Sequence, residues 1–235
     1  RPVRKHVATI NALNPGIEYY FQVSSSDGTT LSTLACSFAT TNSIAGTLVF
    51  GMTNAWKFTT NNLDDVNWKT LNYNDSDWFG PSNGCLAIEN RNLGESLYPP
   101  INTYLPPLPA MTVGILGTFF STYYFRTPFL FSGSTAGVSL TFSNYIDDGA
   151  IFYLNGAELA RIRVAAAPTP VYFTNNATGK PCSGDPVITC PDLFTISGSL
   201  LNNLVQGTNV VAVEVHNISG GVTSQDILFG SALLA

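Results

Sequence analysis

The run NYIDDGAIFYLNGAELARIRV, residues 144–164, constrains the fold more tightly than any other stretch. Ile151 to Leu154 is a short apolar run of strand formers, and Asn155-Gly156 follows it directly. A two-residue type I′ turn needs positive φ at both central positions, which Asn and Gly tolerate, so a β-hairpin is expected here. Residues 157–164 supply the returning strand, with Ala160, Ile162 and Val164 alternating with Arg161 and Arg163. Upstream, Val138, Leu140 and Phe142 alternate with Ser139, Thr141 and Ser143 until Asp147-Asp148-Gly149 ends that strand. Period-2 alternation on both sides of a tight turn predicts an antiparallel β core with one face buried and one wet.

At 235 residues the chain can bury a substantial core. Only 11% of it is charged and 12% aromatic, with Thr, Asn and Ser abundant, a profile that suits an extracellular or cell-surface β protein. The net charge of −5 comes from scattered acids, and Arg1–Lys5 is the one basic cluster, which argues against nucleic acid as a partner. No stretch reaches the roughly 18 apolar residues of a membrane span. The chain begins at Arg1 without a signal-peptide pattern and so reads as a piece of a longer precursor. Among the four cysteines, Cys182 and Cys190 bracket a Gly/Pro-containing loop and are expected to be bonded, leaving Cys36 and Cys85 as a candidate second pair. Neither His6 nor His216 stands at zinc-ligand spacing from them. Sequons at Asn74, Asn176 and Asn217 agree with secretion and glycosylation.

Along the chain, Val7–Ile10 reads as a strand, and LNPGIEYYFQV (13–23) sets a Pro-Gly turn before a strand with Tyr19, Phe21 and Val23 on one face; residues 29–40 form the next. Strands are expected at Leu48–Met52 and Trp56–Thr59, then a turn-rich stretch over 64–84 carrying two tryptophans. Residues 85–118, with Pro99-Pro100, Pro106-Pro107 and Pro109, read as one long loop, because proline cannot serve in a central strand. Strands resume at 119–131, in the hairpin, at 209–217 (Val211, Val213 and Val215 opposite Glu214 and His216) and at 225–234, with a cysteine loop at 175–191.

Two resemblances follow. Leu13, Pro15-Gly16 and Tyr19 resemble the E–F corner of a fibronectin type III domain, which implies that Tyr19 is the corner tyrosine, its hydroxyl bonding back to the turn. Only strands E, F and G of such a sandwich are present, so residues 1–41 are expected to be a partial domain. Residues 46–235 are similar to the galactose-binding-domain-like jelly rolls through Trp68, NDSDW (74–78), YYFRTPF (123–129), DDGAIFYLNG (147–156), GTNVVAVEVHN (207–217) and DILFG (226–230). The resemblance implies an all-β chain: an antiparallel jelly-roll β-sandwich preceded by a partial fibronectin type III-like sandwich. Such modules accompany secreted hydrolases, phosphoesterases and surface proteins, serving sugar binding, calcium binding or plain spacing.

Catalytic chemistry is not expected. GSTAG (133–137) places Thr where a nucleophile elbow needs Ser. Asp147 and Asp148, adjacent at a strand end, point to opposite faces, whereas a glycosidase pair must converge. For sugar binding, aromatic platforms and polar groups are needed, and the candidates are Trp56, Trp68, Trp78, Tyr98, Tyr104 and Tyr145 with Asp148 and Asn155. No cofactor is required, but calcium is a candidate at Asp147-Asp148 or Asp64-Asp65, with Asp185 and Asp226 weaker. The Phe152/Leu154 face of the hairpin, outer by the resemblance, is expected to be covered by the proline-rich loop or a neighbouring subunit. The reading that uses most features is a non-catalytic extracellular structural subunit of a surface layer, sheath or filament, assembling with copies of itself by strand sharing at the N-terminal half-domain. The alternative is a carbohydrate-binding accessory module beside neighbouring domains of a secreted hydrolase or phosphoesterase precursor.

Overall fold

Asn155 and Gly156 take φ of 49° and 96°, and the hairpin forms as the turn chemistry requires. It joins β10 (Gly149–Leu154) to β11 (Ala157–Ile162). A register shift between Phe152 and Tyr153 disrupts the simple alternation of the returning strand. The structure is a computed structural model that describes residues 18–26, 29–39, 46–88, 98–105, 120–182, 184–218 and 226–235. The chain divides into two compact units, Arg1–Ala45 and Gly46–Ala235.

In the first unit, β1 (Glu18–Ser26) and β2 (Leu31–Ala39) pair antiparallel, Phe21 opposite Cys36. Phe21, Val23 and Leu34 are exposed. The expected strand at 7–10, the Leu13 to Gly16 corner and the side chain of Tyr19 lie outside the described residues.

The second unit contains β3 (Leu48–Phe50), β4 (Ala55–Thr59), β5 (Phe79–Asn83), β6 (Leu86–Ile88), β7 (Thr103–Tyr104), β8 (Thr122–Phe131) and β9 (Ser139–Asp147). After the hairpin come β12 (Asp192–Ser197), β13 (Gly207–His216) and β14 (Ile227–Leu234). One sheet has the order β11-β10-β13-β8-β4-β5; the other runs β12-β9-β14-β6-β7, with β3 also on β14. All pairings are antiparallel except β6 with β7. The chain is therefore an all-β protein whose second unit is an antiparallel β-sandwich. Among the described residues no helix is long and apolar enough to cross a membrane.

The core lies between the sheets, where alternate residues of each strand meet. Phe125 stacks on Phe229 at 4.4 Å, Trp56 meets Phe229 edge-on at 4.9 Å, and Phe142 contacts Phe152 at 5.6 Å. Burial of each such ring contributes about 2–3 kcal/mol before entropy is counted.

Two expectations are corrected here, and a third finding joins them. Residues 85–118 are not one uninterrupted loop, because Leu86–Ile88 pairs with β14 and with Thr103–Tyr104; residues 89–97 and 106–119 lie outside the described residues. Phe152 and Leu154 face the other sheet and are fully buried, so neither a proline-rich loop nor a subunit is needed to cover them. The Glu214/His216 side of β13 is also buried, since residues of the 60–78 and 164–173 segments pack over that outer face of the sheet.

The 60–78 segment is a covering loop held by local turns. Asn62 Oδ1 accepts the Asp64 N–H, and Asn74 Oδ1 accepts that of Ser76, the bonding for which Asn is favoured in turns. Leu63, Trp68 and Trp78 pack on Tyr124, Ile151, Tyr153 and Ala212, forming a second apolar layer.

Candidate functional site

The covering loop stops short of one end of the sheet and leaves an open groove of about 360 Å³. Its floor consists of outward residues of three adjacent strands: Ala55 and Lys57, Arg126 and Pro128, Thr208 and Val210. Leu71, Tyr73 and Asp75 of the loop, with Pro81 of β5, form the wall. Pro128 is tolerated in β8 because β4 pairs only with Tyr124–Arg126, so the prolyl nitrogen lies past the end of that ladder.

Arg126, Asp75 and Lys57 make a continuous ionic group. Arg126 Nε donates to Asp75 Oδ2 at 2.9 Å, and Lys57 Nζ donates to Asp75 Oδ1 at 2.8 Å and to the Asp75 carbonyl at 3.0 Å. Arg126 Nη1 donates to the carbonyls of Trp68 and Thr70, fastening the loop to the sheet. The guanidinium also lies 5.3 Å from the Tyr73 ring and 6.0 Å from that of Trp78. Partial burial pushes the Asp75 carboxyl up, but hydrogen bonds and charge from Lys57 and Arg126 outweigh it, holding it below the ordinary carboxylate range.

The tryptophans expected as platforms are not available for that role. Trp56 lies in the inter-sheet core, while Trp68 and Trp78 are sealed beneath the covering loop; a ring must face solvent to stack on a sugar. Asp148 is buried, its Oδ2 accepting the Ile218 N–H and its carbonyl the Arg163 Nε–H. Asn155 serves the turn: its Nδ2 donates to Asn203 O and Asn209 Oδ1, and its Oδ1 accepts the Val210 N–H. Tyr104 is 65% exposed, Tyr98 is half-buried, and Tyr145 is half-buried with its hydroxyl donating to the Ile188 carbonyl.

The acidic pair expected for calcium separates. Asp147, not Asp148, joins Asp185 and Asp226, and the three buried carboxylates present oxygens within 4.8 Å of one another. This donor chemistry fits a hard cation such as calcium. Asp64 instead accepts the Phe173 N–H, and Asp65 is exposed. Cys182 and Cys190 form a disulfide. Cys36 and Cys85, in different units, are both free thiols; burial pushes the Cys85 thiol up to about 12. Of the sequons, Asn74 and Asn176 are exposed, whereas Asn217 is buried with its Nδ2 donating to the Asp226 carbonyl, which denies it to a glycan.

Sequence reasoning missed Lys57, Tyr73, Asp75 and Arg126 as one site. A signal existed: an arginine within an apolar strand requires a counter-charge, and Asp75 sits in the other motif, NDSDW.

No family model and no curated protein matches the chain. Among solved structures it is similar to a β-glycosidase from Bacteroides vulgatus (16% identity, TM-score 0.36, covering 80% of this chain and 20% of that one). It is also similar to a glycosyl hydrolase family 2 member from Bacteroides cellulosilyticus (15%, TM-score 0.39, 79% and 20%) and a β-glucuronidase from Ruminococcus gnavus (10%, TM-score 0.38, 79% and 29%). The chain thus spans about a fifth of the length of the first two, and at these scores the likeness is no guide to activity.

Proposed function

We propose that this chain is a non-catalytic, glycan-binding β-sandwich module of a larger secreted protein. The observation that carries the reading is the groove, in which a tyrosine ring and an ionic triad meet on the outer face of a six-stranded sheet. A sugar offers apolar C–H faces and a rim of hydroxyls, and a groove combining an aromatic wall with fixed charged donors suits both. The Cys182–Cys190 disulfide supports an oxidising compartment. The resemblance to galactose-binding-domain-like jelly rolls, whose modules often sit beside hydrolase domains, is consistent with an accessory role.

The test is binding of the full chain to immobilised polysaccharides, followed by calorimetry with oligosaccharides of any that retain it. Retention by at least one polysaccharide, abolished in Tyr73→Ala with an unchanged circular dichroism spectrum, is the expected result. Failure to bind any polysaccharide would overturn the proposal. A second reading, self-assembly through the N-terminal hairpin, draws on the exposure of Phe21, Val23 and Leu34. Sedimentation equilibrium tests it, and a monomer at all concentrations would reject it.

A further inference from the structure

The ionic group in the groove carries an imbalance of charge and of hydrogen-bonding capacity. It contains two permanent cations and one carboxylate, so it bears a net positive charge. Both oxygens of Asp75 are already engaged, one by Lys57 and one by Arg126. The donors are not exhausted. Lys57 Nζ has three protons and makes two hydrogen bonds, both to Asp75. Arg126 has five N–H donors; Nε and Nη1 are engaged, while Nη2 makes no hydrogen bond among the described residues, although the side chain is only 3% exposed. The polar capacity left on the ionic group is therefore made of donors on cationic nitrogens.

We infer that the groove takes an acidic glycan, with a sugar carboxylate received by Lys57 Nζ and Arg126 Nη2 and the sugar ring lying against Tyr73. This inference rests on the glycan-binding reading and names its ligand class. A guanidinium edge and an ammonium suit a carboxylate, and hydrogen bonds between charged partners are about twice as strong as neutral ones. A neutral sugar would leave the cationic donors answered only by hydroxyls. Because Nη1 and Nε hold the guanidinium in place through Asp75 and the covering loop, Nη2 is positioned before any ligand arrives, which lowers the entropy lost on binding.

The experiment is calorimetric titration of the full chain with three probes: an oligogalacturonate, the same oligomer as its methyl ester, and a sulfated heparin fragment of similar length. The oligogalacturonate is expected to bind at least about tenfold more tightly than its ester, with affinity falling as salt rises. Lys57→Gln should weaken the acid about tenfold and the ester less, so that the preference for the acid shrinks. Leu71→Arg, in the partly exposed wall of the groove and outside the ionic group, should tighten the acid relative to the ester. The second variant guards against a Lys57 change that merely loosens the loop. Equal binding of acid and ester would overturn the carboxylate assignment while leaving glycan binding intact. Preference for the sulfated fragment would overturn it also, in favour of a different anion. If none of the three probes binds but a neutral polysaccharide does at Tyr73, this inference alone fails; if no glycan binds, the underlying reading fails with it.

Discussion

The two faces of the sheet β11-β10-β13-β8-β4-β5 are buried to similar depth by different chemistry. The inner face is predominantly apolar, with Phe58, Phe125, Phe152, Leu154, Val211, Val213 and Val215 meeting the opposite sheet. The outer face mixes Trp68, Trp78 and Ile151 with Arg126, Glu214 and Tyr153, and its lid is a loop without a regular ladder of its own. Burial beneath that lid makes a partner valuable to each polar group there, and most find one. Tyr153 donates its hydroxyl to Glu214 Oε1 at 2.5 Å, and His216 Nδ1 stands 2.8 Å from the Asn175 carbonyl. An apolar layer tolerates any shape-compatible hydrophobe, whereas a polar layer tolerates only complete sets of partners. Where the lid ends, that partnering is left incomplete, and the groove with its remaining cationic donors results.

The largest expected effect is on the inner face. Leu154→Asp would place a carboxylate among Phe142, Phe152 and their neighbours with no counter-charge, costing upward of about 5 kcal/mol, and should abolish folding by circular dichroism. A folded mutant would show that the inter-sheet core is misassigned. Next, Arg126→Met keeps the bulk but frees the carbonyls of Trp68 and Thr70 and leaves Asp75 to Lys57 alone. A cost of about 2–4 kcal/mol in urea denaturation is expected, and a neutral result would mean that the lid is not fastened through this residue.

Tyr153→Phe is smaller and sharper, because it removes one hydroxyl and leaves a buried Glu214 oxygen unsatisfied. About 1–2 kcal/mol of destabilisation is expected from denaturant midpoints, and a stabilised mutant would show water reaching the outer layer. Burial, reinforced by the nearby Glu214 charge and hydrogen bond, pushes the Tyr153 phenol far above its ordinary range, so it should remain un-ionised in an ultraviolet titration until the protein unfolds.

The smallest effect concerns acid. The Asp75 carboxyl titrates lower in the folded chain than in the unfolded one, so its contribution to stability is present above about pH 4 and is lost as pH falls through its depressed value. Asp75→Asn should flatten the acid limb of the stability curve in this window. An unchanged limb would show that other carboxylates carry it.

Much of the inner face was legible in the residue order. Leu140 and Phe142, and Val211, Val213 and Val215, repeat with the period of a strand, and a period is a local property. The hairpin was legible for the same reason, since Asn155 and Gly156 bring their permitted φ values with them. The burial of the opposite side of β13 was not legible, because alternation records that Glu214 and His216 lie opposite the valines and not whether another segment covers them. That depends on the 60–78 loop, far away in sequence.

The groove was illegible for a related reason. Asp75 and Arg126 are separated by 51 residues, and nothing near either one encodes their meeting. The tryptophans looked like platforms because sequence records their chemistry and not their exposure; packing on Tyr124, Tyr153 and Phe229 removed them from solvent. Likewise Asp147 and Asp148 are neighbours in the chain, yet the strand-end geometry sends Asp147 toward Asp185 and Asp226 and Asp148 toward the Ile218 N–H. Turn type, strand period and the Cys182–Cys190 link were thus determined by residues close in sequence. Which faces are sealed, which charges meet and where the groove opens were decided by the tertiary structure alone, because burial and ion pairing depend on what arrives from elsewhere in the chain.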